Sequence, residues 1–274
     1  MKPAIFTSFD SVTPFAEAIS LICEAGFEAV SLGGGREHSG YLTATQRADT
    51  QRLIAASGMT IDSLHAPFPE GDRLFSLDEA ERVESVRQCK DALDAAVDLD
   101  GGIVVVHLIQ PYDIPPGEIR DKMIGRGRRS MAALAAHAVN RDVKLALENG
   151  QRRAYDQVLE DLLGEFDDPH IGFCYDTGHE NVQGTCFSLL EQFGDRLFTI
   201  HVHDNTGTDS HMLPFEGTID WTRFREVLHG LSYSGNLLLE ASTKNSQWKA
   251  PREFLAQAKR CADRLLQKPG EMGQ

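Results

Sequence analysis

An α/β chain closed as a (β/α)8 TIM barrel in a single domain is the fold class that the sequence predicts, on three observations. Apolar, β-branched runs alternate with amphipathic stretches along the whole chain, the pattern of parallel βαβ units. The 274 residues are close to the roughly 250 of one such barrel. Six of the runs end in a metal-capable side chain: SLHAPF at His65, VVVHL at His107, LALENG at Glu148, GFCYDTGH at Asp176 and His179, FTIHVHDN at His201 and His203, and LLLEAS at Glu240. Scattered His and Glu carry little information. The same kind of residue at the same end of strand after strand means that those ends meet, and the carboxyl ends of barrel strands are where such folds keep their chemistry.

The elements follow in order. AIFTSF starts the first strand, 3–9, and Thr13-Pro14 opens a helix over 13–25 that Gly26 closes. Strand 28–33 runs into Gly33-Gly34-Gly35, a flexible turn because no P-loop Lys-Ser/Thr follows it. Helix 43–57 ends at Gly58, and strand 60–65 delivers His65. Ser76 starts helix 77–99, and strand 102–108 carries His107. The Pro-rich segment 109–120 reads as a long loop on the strand-end face. Helix 121–140 holds the one basic run, Arg120 to Arg129, which is either a solvated face or an anchor for an anionic group. Strand 142–148 ends in Glu148, and Gln151-Arg152-Arg153 then lie at the barrel mouth. Helices 155–166 and 185–194 flank strand 170–176, with Asp176 at its end. Strand 196–203 carries His201 and leads into loop 204–219 and helix 220–231. Strand 236–241 carries Glu240, with Lys244 and Trp248 just beyond, before helix 250–267. The barrel is expected over 1–268 and a flexible tail over 269–274.

Composition narrows the function classes. The chain is 41% hydrophobic and 25% charged, ordinary for a soluble globular protein. No run approaches the roughly 20 apolar residues of a membrane span, and the start, MKPAIFTSFDSV, lacks a signal peptide's apolar core. Five cysteines, an odd number without C-x-x-C, argue against a disulfide framework or a cysteine-zinc knuckle and for a cytoplasmic protein. Cys174 reads as a buried small residue rather than a nucleophile. A net charge of −14 argues against broad affinity for nucleic acid or anionic membranes, without closing off a local basic groove. Assembly as a homo-oligomer is left open. The same charge suits a site that gathers carboxylates around a cation.

Successive strand-end candidates are separated by 25 to 42 residues, each interval fitting one βα unit of roughly 30 residues with loop variation. Mixed carboxylate and imidazole ligands suit Mn²⁺, Zn²⁺, Co²⁺, Fe²⁺ or Mg²⁺. One octahedral ion takes about four protein ligands and leaves positions for substrate or water. Glu148, Asp176, His201 and Glu240 make the best set of four. The remaining histidines bind substrate oxygens or further ions. His203 shares a face with His201, but the strand is ending there. His38, His137, His170 and His229 sit in surface or structural contexts.

The motifs LENG, DTGHEN, H-x-x-D-N from His201 to Asn205, DSHMLPFEGTIDW and LLLE together resemble the sugar-phosphate isomerase/epimerase superfamily. This is the group with the xylose-isomerase-like TIM barrel that includes endonuclease IV, ketose 3-epimerases and inositol-catabolism enzymes. The resemblance runs from about residue 60 to 242. It implies that Glu148, Asp176, His201 and Glu240 bind one divalent metal (Mn, Zn, Co or Mg). It also implies that Glu148 and Glu240 are the catalytic proton carriers of an isomerase or epimerase acting on a small-molecule sugar through a metal-stabilised enediolate. His65 and His179 would lie close to substrate oxygens.

Endonuclease IV is the rival within the group. Its multinuclear zinc site resembles nine residues of this chain: His65, His107, Glu148, Asp176, His179, His201, Asp209, His211 and Glu240. Three departures favour the sugar reading. The loop after His65, APFPEGD, is acidic; Phe215-Glu216-Gly217 replaces the usual Gly-x-Gly; and the net charge is strongly negative. A dehydratase or lyase is a further alternative, since an enediolate can expel a β-hydroxyl, and a sugar-binding barrel without catalysis is a fourth.

Overall fold

Eight short parallel strands close into a barrel in sequence order: β1 (Pro3–Phe6), β2 (Ala29–Leu32), β3 (Thr60–His65), β4 (Ile103–Val106), β5 (Lys144–Glu148), β6 (Ile171–Asp176), β7 (Leu197–Val202) and β8 (Leu237–Leu239). β8 pairs with β1 in the register Pro3↔Leu237 to complete the ring. The computed structural model describes residues 1–268; the tail expected at 269–274 lies outside the described residues. Every strand is followed by a helix: α1 (Phe15–Glu24), α2 (Ala44–Ser57), α3 (Glu79–Leu99), α4 (Glu118–Arg141), α5 (Arg153–Glu165), α6 (Thr177–Val182), α7 (Ser188–Phe193), α8 (Trp221–Gly230) and α9 (Pro251–Leu266).

Runs such as IVVV and LALE form strands because their side chains are buried on both faces, the condition of a parallel sheet under a helical layer. The outward-pointing side chains join the helices in one large apolar cluster. The inward-pointing ones make small clusters, Ala4–Phe6–Ala29–Leu238 and Val105–Ala146–Cys174. Local chemistry closes the helices. Thr43 and Gln46 form a reciprocal capping box at α2, and Gly58 ends that helix at φ 71°, a conformation that a Cβ disfavours.

Apart from shifts of a few residues at element ends, such as α1 starting at Phe15 after Pro14 and β1 ending at Phe6, the observed elements differ from the expected ones in three places. The helix after β6 starts at once, as α6, because the Asp176 carboxylate caps it by accepting the His179 N–H. α4 begins at Glu118, so the loop expected over 109–120 ends earlier. Ser76 is not the cap of α3. Asp78 caps it by accepting from Ala80 and Glu81, while Ser76 accepts the Asp78 N–H and donates to Glu81. Among the described residues no helix is long and apolar enough to cross a membrane, and the five cysteines are free.

Candidate active site at the strand ends

Strand alternation determines what reaches the barrel mouth. Val105, Ala146, Cys174 and Leu238 fill the interior one layer down, and residues two further along each strand point the same way. Those residues are His107, Glu148, Asp176 and Glu240. Glu148, Asp176 and His201 are at most 1% exposed, whereas Glu240 keeps 20% of its side chain open to the cavity. One ligand atom from each of these four lies within 4.8 Å of the others. His201 Nδ1 stands 3.0 Å from Glu148 Oε1 and 3.0 Å from Glu240 Oε2.

The donor set fits a divalent cation. A single imidazole nitrogen carries at most one hydrogen, so it cannot satisfy two carboxylates converging at equal distance. Glu148 Oε2, 3.1 Å from His107 Nε2 and 3.4 Å from His65 Nε2, has no well-formed hydrogen bond, and His201 Nε2 and His203 Nδ1 have no partner. Burial alone would raise the Glu148 carboxyl, but His201 and His107 outweigh it and hold the group well below the usual carboxylate range. Burial likewise opposes, and His201 and His211 overcome it, at Glu240, which is held down at about 2. The histidines answer in kind. Against a burial that lowers them, the surrounding carboxylates push His179 and His211 up to about 10 and His107 well above its ordinary value, and Cys174, Glu240 and Glu148 do the same to His201.

The rim gathers the other expected residues. His179, on α6, has its Nδ1 2.8 Å from the Asn149 carbonyl, and Asn149 also exchanges hydrogen bonds with the Asp176 backbone. LENG and DTGHEN are thereby locked together across β5 and β6. Asp209 and His211 lie on the β7–α8 loop, with His211 Nε2 3.2 Å from Asp209 Oδ1 and its Nδ1 2.7 Å from the Glu240 carbonyl. His203 is more central than its strand position suggested. It is fully buried, sits 3.1 Å from Asp176 Oδ2 and stacks on His211 with ring centroids 4.1 Å apart. Gly178 is required opposite it, because a Cβ there would overlap the His203 ring.

Two buried residues of the site are absent from the sequence-derived set. Asp72, 3% exposed, lies 3.1 Å from His107 Nδ1. Tyr112 places its hydroxyl between His107 and His179. Each sits in a loop without periodicity, and the Pro flanking Tyr112 was the one local signal. The elements weighed as anchors take other partners. Arg126 and Arg129 pair with Glu79, Arg128 with Glu165, Arg152 with Asp113 and Arg153 with Glu160, and Gln151 donates to Asp209. Lys244 lines the cavity; Trp248 lines a separate one. Gly34 is less a flexible turn than a close approach, since a Cβ there would overlap the Ala66 carbonyl and Phe68. Burial pushes the Cys174 thiol up, which keeps it protonated. The central cavity has a volume of about 610 Å³.

The family model described as the xylose isomerase-like TIM barrel matches residues 19–258. The uncharacterized protein y4fM of Sinorhizobium fredii is 28% identical over 247 residues, covering 81% of this chain and 79% of that one. A fructoselysine 3-epimerase of Escherichia coli O157:H7 is 25% identical over 276 residues, covering 94% and 96%. The crystal structure of a D-tagatose 3-epimerase-like protein superposes with a TM-score of 0.82 at 23% identity over 97% of each chain. Barrel, strand-end site and these relatives point to one enzyme family: the chain belongs to the xylose isomerase-like TIM barrel family.

Proposed function

We propose that the protein is a divalent-metal-dependent epimerase or isomerase of a ketose or ketose derivative, inverting or relocating hydrogen at the carbon beside the carbonyl. The observation that carries the reading is the convergence of two carboxylates, the buried Glu148 and the partly open Glu240, on His201 Nδ1 at 3.0 Å each. In this reading Glu148, Asp176, His201 and Glu240 hold the ion. Bound there, the ion supplies Lewis-acid polarisation of a carbonyl and its neighbouring hydroxyl and offsets the charge of an enediolate.

The chain's own residues supply the rest. One glutamate removes the α-proton from one face of the substrate, and the other returns a proton to the opposite face. The lowered carboxyl pKa values keep both groups ionised in the resting site. His65, His107 and His179 present ring nitrogens to substrate oxygens, and Phe6, Phe68 and Tyr112 narrow the mouth and exclude water. A cavity of about 610 Å³ holds a monosaccharide with room for a substituent, consistent with a relative that is named for fructoselysine. Metal identity, with Mn, Zn, Co and Mg the candidates, belongs to the same proposal.

A second reading, phosphodiester hydrolysis of the endonuclease IV kind, draws on one observation. His65, His107, Glu148, Asp176, His179, His201, Asp209, His211 and Glu240 all surround or underlie the same cavity. The deciding experiment incubates metal-loaded enzyme with a panel of ketoses in D₂O and reads deuterium at the α-carbon by NMR. Incorporation, reduced by at least about 10³-fold in Glu240→Gln, is the expected result. No incorporation across the panel, together with nicking of abasic duplex DNA, would overturn the sugar reading.

A further inference from the structure

The loop that follows Glu240 has no acidic residue. It reads ASTKNSQWKA over 241–250 and holds two lysines, in a chain whose net charge is −14. Its backbone is tied down along its length. The Ser242 N–H donates to the His211 carbonyl and the Thr243 N–H to the Phe9 carbonyl, at 2.9 and 2.8 Å. The Thr243 hydroxyl donates to Asp10 at 2.9 Å, and the Asn245 side-chain amide to the Ser210 carbonyl at 2.7 Å. Lys249 Nζ donates to the carbonyls of Thr243 and Lys244, at 3.0 and 2.7 Å. One ammonium of the loop thus holds its backbone, and the other, on Lys244, is displayed from it.

Lys244 lines the central cavity and is its one lysine or arginine. The four carboxylates that line the same cavity are each answered by an imidazole: Asp72 by His107 at 3.1 Å, Glu148 and Glu240 by His201 at 3.0 Å, and Asp209 by His211 at 3.2 Å. The Lys244 ammonium has no ion-pair or hydrogen-bond partner among the described residues. Basic groups on other strand-end loops are taken. Arg36 pairs with Glu70, Arg152 with Asp113, and Arg73 donates to the Gln110 carbonyl. Position separates Lys244 from the carboxylates. Glu148 and Asp176 are buried at the strand ends, whereas Lys244 is exposed and lies in the loop beyond Glu240. Ser8 and Ser242 line the same side of the mouth, because β1 and β8 pair, and β4, which leads to His107, stands across the ring. The cavity is therefore acidic at its floor and cationic on one side of its rim. Such a field favours a ligand whose outer end is an anion.

We propose that Lys244 is a specificity-determining residue: its ammonium receives an anionic group, phosphate or carboxylate, carried by the ketose at the end remote from the reacting carbonyl. The substrate class is then an acidic ketose derivative, not a neutral sugar. The proposal rests on the epimerase or isomerase reading, which places the carbonyl at the strand-end carboxylates. An ammonium is a compact point charge without the planar fork of arginine, so it accepts either oxyanion. The hydroxyls of Ser8 and Ser242 are donors on the same side.

The test compares D-fructose, D-fructose 6-phosphate and D-fructuronate, which share the ketose end and differ at C6. Binding to the metal-loaded full chain is read by isothermal titration calorimetry, and turnover by deuterium entry in D₂O. Wild type should bind at least one of the two anions about tenfold more tightly than D-fructose, the size of one charge-assisted hydrogen bond. Lys244→Met, which keeps the length and removes the charge, should cut that anion-to-neutral ratio about tenfold, in Kd and in KM rather than in kcat. Lys244→Arg should restore most of it. The ratio is taken within each variant, so a loss of folded protein lowers both of its members together. The anion that gains identifies the group as phosphate or carboxylate. No preference in the wild type, or a preference that survives in Lys244→Met, overturns the role of Lys244. Lys244-dependent binding of an anion, with no deuterium entry across the whole ketose panel, supports the anion site and overturns the epimerase reading instead.

Discussion

Asp204 shows how one side chain organises a motif. Its carboxylate accepts the N–H groups of Asn205, Phe215 and Ile219 and the indole Nε1–H of Trp221 at 2.8 to 3.2 Å, and it is fully buried. The segment from His201 to Trp221 is therefore a loop wound around one anion, and it carries Asp209 and His211 into the mouth. Gly217 is required because a Cβ would strike that carboxylate. Asp204→Ala strands several buried donors, each costing about 1–3 kcal/mol. We expect a loss of about 3 kcal/mol or more in urea denaturation and a large fall in activity, whereas a surface control such as Asp167→Ala stays within about 0.5 kcal/mol. A variant at Asp204 with wild-type stability would show that the loop is held by its apolar contacts instead.

At the scale of elements, the turn from β5 into α5 depends on Asp156, on the first turn of that helix. It accepts the Gly150 N–H at 2.8 Å and the Gln183 side-chain amide at 2.6 Å, tying β5 to α6. Burial raises its carboxyl to about 6, against these two donors, which pull it down. The sign follows from linkage. The folded state favours the protonated form, so this group's contribution to stability declines as pH rises from the ordinary carboxyl value of 3.8 to about 6. Asn at this position keeps one acceptor oxygen, for the Gly150 N–H or the Gln183 amide, and never carries the charge. The stability of Asp156→Asn relative to wild type should therefore improve by about 1 kcal/mol between pH 5 and pH 8, measured as the difference in urea midpoints times m. A difference independent of pH would mean that Asp156 is not protonated in the folded chain at pH 5.

For the whole molecule, the barrel brings Glu148, Asp176, His201 and Glu240 together at one mouth, and a cation bound there would add to the stability of the folded state. An ion binding only the folded state at a hundredfold excess over its Kd contributes about 2.7 kcal/mol. That corresponds to roughly 5–10 °C in Tm for a domain of this size. Chelation should lower Tm by that amount, and adding back Mn²⁺ or Zn²⁺ should restore it. An unchanged melting curve would count against a resident ion.

What could be read without the fold, and what could not, divides along the physics of local and nonlocal contacts. Strand alternation and helix caps are local, so Glu148 at the end of LALE and Asp176 at the end of GFCYD could be assigned to one mouth from their own neighbourhoods. The count of parallel βα units carried the barrel with it, because eight such units close on themselves. His203 was undervalued because β7 ends at Val202, although the chain stays extended long enough to bury the next imidazole against Asp176. Ser76 was mistaken for a cap because cap chemistry is shared by any Ser, Thr or Asp near a helix start.

Asp72 and Tyr112 were invisible for a different reason. Asp72 acts on a histidine 35 residues away and Tyr112 on one 67 residues away, and neither loop has a period that forecasts where its side chains point. The sequence by itself determined the barrel, the layer of polar residues at the strand ends and the family. Only the tertiary structure decided which ring nitrogen each rim histidine presents and what stands in front of it, because that choice is made by hydrogen bonds between loops that approach one another only after the barrel closes.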